Sequence, residues 1–369
     1  MKLLIQHTHK PGEIAGVVTY INAIEPGLNA KGVQTQVIST SIISTLSWIK
    51  LILWADLIHM NSNHLGFAIL CKLLGKKIII KYHYLFYLST HSYYEKLPFL
   101  QRLKREFIQT LPKAKYPLKW KLHTVVKWAR FAVRFATAIV VDRHTACSQF
   151  LAESLSFPWR VDTLYYPIKA ADTQKTISDL TEPYTFAYVG RLSSDKGVDL
   201  LLRAVHALKK QHYSFQVSII GDGQDAAQLK AMATELEIND RVHFLGTRSG
   251  EEIALLVRSS LALVVPSRWQ EPAGYVALEA SSVQTCSIVS KVGGLPEMAG
   301  TANLFFEREN ATELIKQMKS CLDDPSDALD RGLRSNQYIK EQFSLEKAVS
   351  ELIEICRELA PNRKFLEDE

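Results

Sequence analysis

The sequence predicts an α/β protein made of two parallel-sheet domains. The chain has 369 residues, more than one ordinary hydrophobic core accommodates. Short strand-like runs alternate with helix-like runs in two separate series, which is the pattern of βαβ units. A polar stretch with few apolar residues, 169–184, stands between the two series and predicts a linker.

The first series predicts an N-terminal domain over residues 1–168. Its strand-like runs are short and rich in Ile, Leu or Val, and its helix-like runs carry apolar residues at helical spacing. The predicted strands are KLLIQHT, VQTQVIST, DLIHMN, KIIIKYH and ATAIVVDR, and the predicted helices are GVVTYINAIEPGLNAKG and HLGFAILCKLLGKK. The alternation pauses between Tyr93 and Phe135, where prolines punctuate helical pieces.

The second series predicts a C-terminal domain over residues 185–345. The predicted strands are TFAYVGRL, FQVSIIGDG, RVHFLG, LALVVPS and SIVSKVGG, and the predicted helices are VDLLLRAVHALKKQ, DAAQLKAMATELEI, GEEIALLVRSS and GYVALEASSV. Further helices follow up to the C-terminus. The last segment, 346–369, is a predicted helix for which packing back on the N-terminal domain is one option.

Composition and charge narrow the class of protein. Hydrophobic residues make up 47% and charged residues 22% of the chain, as in ordinary soluble globular proteins. The N-terminus lacks the apolar run of a signal peptide, and charges interrupt the most apolar long stretch, so no membrane span is predicted. Five widely spaced cysteines form no metal-ligand cluster. We therefore expect a cytoplasmic, metal-free protein without a cofactor.

The run YVGRLSSDKGVDLLL predicts an anion site. Arg191 follows Gly190 at the end of a strand, and Lys196 stands where the next helix begins. Cations beside the exposed N–H groups at a helix start suit a phosphate or diphosphate. The alternative is a pair of solvated side chains near Asp195.

Two glutamates stand eight positions apart in the run SRWQEPAGYVALEA. A proline and Gly274 suit a turn into a helix, which places Glu271 before or at the helix start and Glu279 within it. Each carboxylate can accept hydrogen bonds from vicinal hydroxyls, with the backbone N–H groups of Ala273 to Tyr275 between them. The alternative is a capping acid followed by an ordinary helix acid.

Three further features follow strand-like runs. GDGQDA, which begins at Gly221, matches a dinucleotide-binding loop, but the acid expected at the end of the next strand is missing. GEIAGVV contains Gly16 and opens a helix, which allows a close backbone approach to a phosphate. His83 ends KIIIKYH at the predicted carboxyl edge of the sheet, where ligands bind. For His83, a hydrogen-bonded, partly buried imidazole is the alternative.

The sequence resembles a family-4 retaining glycosyltransferase of group 1 in five runs: YVGRLSSDKG, VSIIGDG, RVHFLG, VVPSRWQEPAGYVALEA and VGGLPE. The likeness is strongest from Thr185 to Glu297, and the pair of glutamates is its most specific mark. The first half matches less closely, through the glycine loop, DLIHMN, the strand-ending histidine and CSQFLAESL. The resemblance implies the GT-B fold, in which two Rossmann-like domains face each other across a cleft.

The resemblance also implies a role for each matching residue. Arg191 and Lys196 would bind the diphosphate of a nucleotide-sugar donor, Glu279 its ribose and Glu271 its sugar. The catalytic residues would be Arg191, Lys196, Glu271 and His83. The rest of the nucleotide-sugar site would comprise Gly16, Gly190, Gly221, Ala273, Gly274, Tyr275 and Glu279. Family members usually act without a metal, so Arg191 and Lys196 would stabilise the leaving group.

From the first domain, Gly16 would approach the phosphate and His83 would contact the donor sugar near its O6. The chain departs from the family pattern at two places. The family usually has a Gly-x-Pro turn after the second glutamate, where this chain has Gln284 and Cys286. Many members carry Asn before the linker, where this chain has Tyr166. We expect neither departure to touch the predicted site residues.

A basic segment, 92–134, interrupts the first domain. It holds eleven Lys/Arg and two acids, a local net charge of +9 in a chain whose total is +6. Leu100, Leu103, Phe107 and Leu111 fall at helical spacing, with cations on other faces. Three interpretations stay open: a helix whose apolar side joins the core, an anionic membrane surface, and a nucleic-acid patch, which is the least expected.

Together these patterns predict a hexosyltransferase in the cytoplasm or on the cytoplasmic face of a membrane. Its partners would be a nucleotide-sugar donor and a lipid-linked, polysaccharide or other glycan acceptor, with no nucleic acid. Two alternatives are a nucleotide-sugar epimerase of the same fold and a non-catalytic binder of sugar nucleotides or polyanions.

Overall fold

The computed structural model describes residues 1–10, 16–87, 97–111 and 118–361, with side chains described from residue 124 onward in the last range. The chain forms two compact units. Unit 1 comprises Met1–Pro167 and Leu345–Glu369, and unit 2 comprises Ile168–Ser344. Parts of the predicted basic segment, 92–96 and 112–117, lie outside the described residues, as does most of the first glycine loop, 11–15.

Unit 1 is built on a parallel sheet. Its described strands are β1 (Lys2–His7), β2 (Gln34–Ser39), β3 (Leu57–Met60), β4 (Lys77–Tyr82), β5 (Arg143–Ala146) and β6 (Val161–Thr163). They lie in the order β2-β1-β3-β4-β5-β6. The central strands β1, β3 and β4 are apolar and mostly buried, as expected for a parallel sheet covered on both faces. The direction of winding reverses between β1 and β3, and ligands bind at the carboxyl ends of strands at such a point.

The helices of unit 1 before the linker include one that replaces a predicted strand. They are α1 (Gly16–Ala30), α2 (Thr45–Trp54), α3 (Leu65–Leu73), α4 (Phe99–Thr110), α5 (Leu118–Val140) and α6 (Gln149–Ser154). The prediction of a strand over ATAIVVDR is wrong, because α5 continues to Val140 and the strand begins only at Arg143. Ala136 and Ala138 favour helix, and α5 packs on α3, so packing outweighs the strand preference of Ile139 and Val140.

Unit 2 repeats the parallel-sheet architecture. Its strands are β7 (Thr185–Val189), β8 (Gln216–Ile220), β9 (Val242–Gly246), β10 (Ala262–Val265), β11 (Cys286–Ser290) and β12 (Leu304–Phe306). They lie in the order β12-β11-β10-β7-β8-β9. Its α-helices are α7 (Val198–Lys210), α8 (Ala226–Glu235), α9 (Gly250–Arg258), α10 (Tyr275–Ser282), α11 (Leu295–Ala299), α12 (Ala311–Asp323) and α13 (Pro325–Gln342). The predicted strands and helices of this unit are confirmed, and β12 is an addition.

The core of unit 2 lies on both faces of its sheet. Phe186 and Tyr188 of β7 belong to one buried cluster, and the alternate residues Ala187 and Val189 pack in another. Alternate side chains of a strand point to opposite faces, so helices cover the sheet on both sides. This double cover leaves the strand ends, rather than the faces, as the place for a site.

The C-terminal helix returns to unit 1. This helix, α14 (Leu345–Leu359), packs on α1 within that unit. The approach is close at Gly27, where a Cβ atom would lie 2.7 Å from the side chain of Val349. Among the described residues, none of the helices is long and apolar enough to span a membrane.

The helix α4 points its apolar residues the wrong way for a core helix. Arg102 and Glu106 are buried, and the Arg102 guanidinium lies 4.5 Å from the ring centroid of Tyr87. Most of the apolar residues that the sequence places on one side of this helix are exposed instead: Leu100, Phe107 and Leu111. The interpretation in which this apolar side joins the core is therefore wrong.

Candidate functional site

In unit 2, two loops meet at the carboxyl ends of β7 and β10. These strands are neighbours, and the winding of the sheet reverses between them. The backbone N–H groups of Arg268 and Trp269, after β10, donate to the carbonyl oxygen of Asp195, after β7, at 2.8 and 3.2 Å. The loops that carry the predicted cations and the first predicted glutamate are therefore joined.

Lys196 and Glu271 form an ion pair at this junction. The Lys196 ammonium donates to Oε1 of Glu271, and the Ser267 hydroxyl donates to the same oxygen at 3.0 Å. The ammonium also lies 5.6 Å from the ring centroid of Trp269. The side chains of Lys196 and Glu271 are 21% and 16% exposed, so both are partly shielded but reachable. A cation and a carboxylate stand side by side at the strand ends.

Two glycines bring the backbone close enough to form this pair. Gly197 has φ +70°, and a Cβ atom there would lie 2.0 Å from the carbonyl oxygen of Pro266. Gly293 has φ +58°, and a Cβ atom there would lie 2.3 Å from the carbonyl oxygen of Glu271. Since a side chain at either position would collide with backbone, these glycines fix where Lys196 and Glu271 stand.

Arg268 supports the junction, although the sequence pattern did not single it out. Its guanidinium holds Asp199 through two hydrogen bonds of 2.5 and 2.8 Å and donates to the Ser194 carbonyl oxygen at 2.9 Å. Burial alone would raise the pKa of the Asp199 carboxyl, but the Arg268 guanidinium holds that pKa below its usual range. This bidentate pair ties the start of α7 to the loop after β10.

Arg191 lies on the same loop as Lys196 but is more exposed. Its side chain is 61% exposed, and it donates to the Ser193 hydroxyl at 3.2 Å and to Asp195 at 3.5 Å. The alternative of a solvated side chain near Asp195 therefore describes Arg191 in this structure, whereas it does not describe Lys196. Arg191 is free to turn toward an anion, because exposed contacts of this kind are weak.

The second glutamate lies on the helix that follows the junction. Gly274 precedes α10, and Glu279 is an exposed residue within that helix. The prediction that Glu271 precedes the helix and Glu279 lies inside it is confirmed. Ala273 and Gly274 are buried and Tyr275 is partly buried, so the backbone of the helix start is covered while Glu279 faces solvent.

Gly190 and Gly221 end neighbouring strands. The N–H of Gly190 donates to the Ile220 carbonyl oxygen at 3.0 Å, and the N–H of Leu192 donates to the Asp222 carbonyl oxygen at 2.9 Å. The loops after β7 and β8 are therefore tied together. Both predicted glycines lie at the same edge of the sheet as Lys196 and Glu271.

In unit 1, His83 is held by two neighbours. Its Nε2 donates to Oδ1 of Asn61 at 3.0 Å, and its Nδ1 accepts from the Tyr166 hydroxyl. The Asn61 amide nitrogen donates to the His59 carbonyl oxygen, which agrees with this orientation. A ligand that bonded to Nε2 would have to displace Asn61. The ring lies in the wall of a pocket of about 300 Å³, which Asn61 and Lys81 also line.

Tyr166 corrects one expectation. This departure from the family pattern does touch predicted site residues, because its hydroxyl bonds to His83 and lies 3.6 Å from the position of a Cβ atom on Gly16. Tyr166 therefore links the two predicted residues of unit 1. No sequence pattern around Tyr166 predicts this contact.

A buried lysine shapes the same region. The Lys81 ammonium lies 3.3 Å from the ring centroid of Tyr20 and 4.5 Å from that of Tyr166. Burial lowers the pKa of Lys81 well below its usual range. Burial, with the Lys81 and His59 charges as smaller contributors, also lowers the pKa of His83, which is therefore a neutral imidazole at neutral pH.

We expect Tyr166→Phe to lower the free energy of unfolding by about 1–2 kcal/mol, because a buried ring nitrogen of His83 loses its donor. Urea unfolding would measure the change. Tyr84→Phe is the control, since Tyr84 is 59% exposed and should leave the stability unchanged. Equal stability of the two variants would show that the bond to His83 contributes nothing.

Solved structures share the fold over almost the whole chain. Sucrose-phosphate synthase from Thermosynechococcus elongatus superposes with a TM-score of 0.71 at 18% identity, covering 98% of this chain and 100% of that one. Anabaena Alr3699/HepE in complex with UDP and glucose gives a TM-score of 0.67 at 16% identity, covering 97% and 100%. The two Rossmann-like units therefore define an α/β protein of the GT-B fold class.

The sequence comparisons match the chain to a family and to several relatives. Residues 171–342 match the family described as Glycosyl transferases group 1. Alpha-D-kanosaminyltransferase of Streptomyces kanamyceticus is 27% identical over 248 residues, which are 64% of each chain. Glycogen synthase of Mycobacterium tuberculosis H37Rv is 31% identical over 165 residues, 44% of this chain and 40% of that one. Residues 171–342, which are nearly all of unit 2, therefore match the group 1 glycosyl transferases, while the chain spans between two fifths and two thirds of the length of these relatives.

Proposed function

We propose that the protein is a retaining glycosyltransferase that moves a hexose from a nucleotide-diphosphate sugar to a lipid-linked, polysaccharide or other glycan acceptor. The ion pair of Lys196 and Glu271 carries this proposal. It sets a cation, which suits a phosphate, beside a carboxylate, which suits sugar hydroxyls, at the point of the sheet where α/β folds bind ligands. A nucleotide-sugar has a phosphate bonded directly to a sugar, so one molecule offers a partner to both side chains.

The donor would bind mainly through unit 2. Arg191 and Lys196 would hold the diphosphate, and Glu279 would accept hydrogen bonds from the ribose. Within the described residues the hydrogen bonds of the Glu271 carboxylate both fall on Oε1, which leaves Oε2 to accept from a sugar hydroxyl. Gly190, Gly221, Ala273, Gly274 and Tyr275 would line the nucleotide-sugar site.

For unit 1, the proposed roles of Gly16 near the phosphate and His83 near the sugar rest on the family resemblance. The bonds of His83 to Asn61 and Tyr166 sharpen the role of the ring. Because both ring nitrogens already have partners, a sugar hydroxyl would have to replace Asn61 at Nε2, and the neutral ring would orient that hydroxyl rather than exchange a proton with it.

The transfer would proceed on one face of the sugar. The bond from C1 to the donor phosphate oxygen breaks while a bond from C1 to the acceptor oxygen forms on the same side. The acceptor hydroxyl gives its proton to the departing diphosphate oxygen, so no protein base is required. Lys196 and Arg191 would stabilise the negative charge that grows on that diphosphate, and positioning would supply most of the remainder.

The reaction would not require a metal, since the two cations neutralise the leaving group. Within the described residues, no group of three or more His, Cys, Asp or Glu side chains is arranged to hold a metal ion. A chelator is therefore expected to leave transfer unchanged, and loss of transfer would disprove the metal-independent mechanism.

We place the protein in the cytoplasm, with contact to the cytoplasmic face of a membrane through the basic segment 92–134.

Thermal stabilisation by UDP-, GDP- and ADP-sugars tests the proposal first. One of these donors should raise Tm, because a ligand that binds only the folded state stabilises it by mass action. The complex of Anabaena Alr3699/HepE with UDP and glucose makes a UDP-sugar the first choice. The matched control is Lys196→Ala, which should weaken the shift.

Product analysis then separates the candidate activities. With a stabilising donor and an acceptor, release of free nucleoside diphosphate together with a hexose bound to the acceptor in the donor's anomeric configuration supports retaining glycosyl transfer. An epimerised donor without any acceptor would instead indicate an epimerase. Stabilisation without turnover, with every acceptor class tested, would indicate a non-catalytic binder.

A further inference from the structure

We propose that the outward side of α4, with the adjoining part of α5, inserts into an anionic lipid bilayer. This surface sharpens the membrane contact in the proposed function, but it does not depend on sugar transfer. Leu100, Phe107, Ile108 and Leu111 form what we call the apolar stripe. Its members would lie among the acyl chains while nearby cations meet the lipid phosphates.

The apolar stripe is continuous and exposed. Its residues are exposed by 77% (Leu100), 50% (Phe107), 58% (Ile108) and 48% (Leu111). Offsets of seven, eight and eleven positions from Leu100 place them on one side of a helix. Exposed valines of α5 add to the surface: Val125, Val126 and Val133. Apolar surface of this kind, gathered on one helix pair, marks a contact with something apolar.

The stripe cannot turn inward, because the opposite side of α4 is fixed. Arg102 and Glu106 are buried there, and Arg102 lies against Tyr87. The indole N–H of Trp128 on α5 donates to the Thr110 hydroxyl at 3.0 Å, which holds the end of α4. The helix is therefore presented to solvent with its polar side in and its apolar side out.

The charge of this surface indicates what it binds. Lys104, Lys127 and Arg130 are exposed beside the apolar residues. Within the described ranges 97–111 and 124–134 the only acid is Glu106, and it is buried. A surface with exposed cations and no exposed acid attracts anions and repels a second copy of itself. A nucleic acid offers phosphates but no apolar layer, whereas an anionic bilayer offers both.

Co-sedimentation with vesicles tests the proposal without donor or acceptor, so its outcome is independent of any glycosyl transfer. We expect binding to phosphatidylcholine vesicles that contain phosphatidylglycerol, and little binding to phosphatidylcholine alone or at high salt. Leu100→Ser and Phe107→Ser should each weaken binding by about tenfold. Lys104→Gln should weaken it by about fivefold.

The matched control is Leu255→Ser on α9. Leu255 is 69% exposed, like Leu100, but it shares its helix with Glu251 and Glu252 and should not meet an anionic surface. Absence of binding to the anionic vesicles at low salt would overturn the proposal. Equal binding by the Leu100, Phe107 and Leu255 variants would also overturn it. A dimer in solution that Leu100→Ser dissociates would assign the stripe to a second copy instead of a bilayer.

Discussion

Lys196→Ala is expected to lower kcat by about 100- to 1,000-fold, as removal of one preorganised charge or donor at a developing oxyanion does in other enzymes. Of the two predicted cations, Lys196 is the one that the structure holds in place, through Glu271 and the turn at Gly197. In the proposed mechanism the diphosphate gains negative charge as the sugar leaves, so the ammonium would bind the transition state more strongly than it binds the donor.

The kinetic constants should separate the two cations. Lys196→Ala should reduce kcat more than it raises KM for the donor, because its interaction grows in the transition state. Arg191 is more exposed and, in the proposed complex, would turn to reach the donor, so Arg191→Ala should also raise KM. Initial rates of donor hydrolysis and of transfer, measured over a range of donor concentrations, give both constants.

Arg334→Ala serves as the control for loss of a cation in unit 2. Arg334 lies on the surface of α13, where it pairs with Asp330, and its removal should leave both constants unchanged. Wild-type hydrolysis and transfer in both the Lys196 and the Arg191 variants would show that the proposed mechanism is wrong. Glu271→Gln adds a second check, since it keeps the shape of Glu271 but weakens its hold on Lys196.

The site in unit 2 is readable from the sequence because its residues directly follow strands. In a parallel sheet the carboxyl ends of neighbouring strands lie at one edge, so Arg191 after β7 and Glu271 after β10 converge whatever their distance along the chain. The local spacing also fixes Glu279 on α10. The motifs of unit 2 therefore predict its site, because each motif follows a strand whose end lies at that edge of the sheet.

The contacts of unit 1 are not readable in that way. Tyr166 reaches His83 from a segment without periodicity, and no spacing rule connects the two. For α4, the apolar spacing predicts one side of a helix correctly but cannot say which side faces the core. Arg102 and Glu106 are buried because of tertiary contacts, which sequence periodicity does not encode.

The polar linker also proves more structured than its composition suggests. Gln284, at φ +61°, stands where the family usually has glycine, and its side chain accepts from the Lys175 N–H at 2.6 Å and donates to the Ala171 carbonyl oxygen at 3.2 Å. At this position a glycine would adopt the positive φ easily, whereas Gln284 adopts it while its side chain hydrogen-bonds to the linker. The predicted linker, 169–184, is part of unit 2 and is thereby bound to the rest of that unit at Lys175 and Ala171.

Lys175→Met is expected to change how the stability of the protein depends on pH. The Lys175 ammonium is buried and donates to the Ser260 carbonyl oxygen at 2.7 Å and to the Thr285 hydroxyl at 2.9 Å. Burial, with a smaller effect of the Arg258 charge, lowers the pKa of Lys175 from 10.5 to about 7. The folded state therefore gives up a proton that the unfolded state still holds.

The sign follows from proton linkage. Between about pH 7 and 10.5 the unfolded chain binds more protons, so this lysine raises the free energy of unfolding by about 1.4 kcal/mol per pH unit. Below about pH 7 both states are charged, and the cost of the buried charge is present in full. Lys175→Met removes that slope, at the expense of about 1–3 kcal/mol for the two lost hydrogen bonds.

The variant should therefore be more stable than the wild type at neutral pH and less stable near pH 10, with the difference changing by about 5 kcal/mol across the window. Urea unfolding followed by tryptophan fluorescence at several pH values measures it. Lys210→Met, at an exposed position of α7, removes the same charge but keeps Lys175, so its stability should differ from that of the wild type by an amount that does not change with pH. If the two variants differ from the wild type by amounts that do not change with pH, Lys175 keeps its proton in the folded protein, and the cost of its burial lies elsewhere.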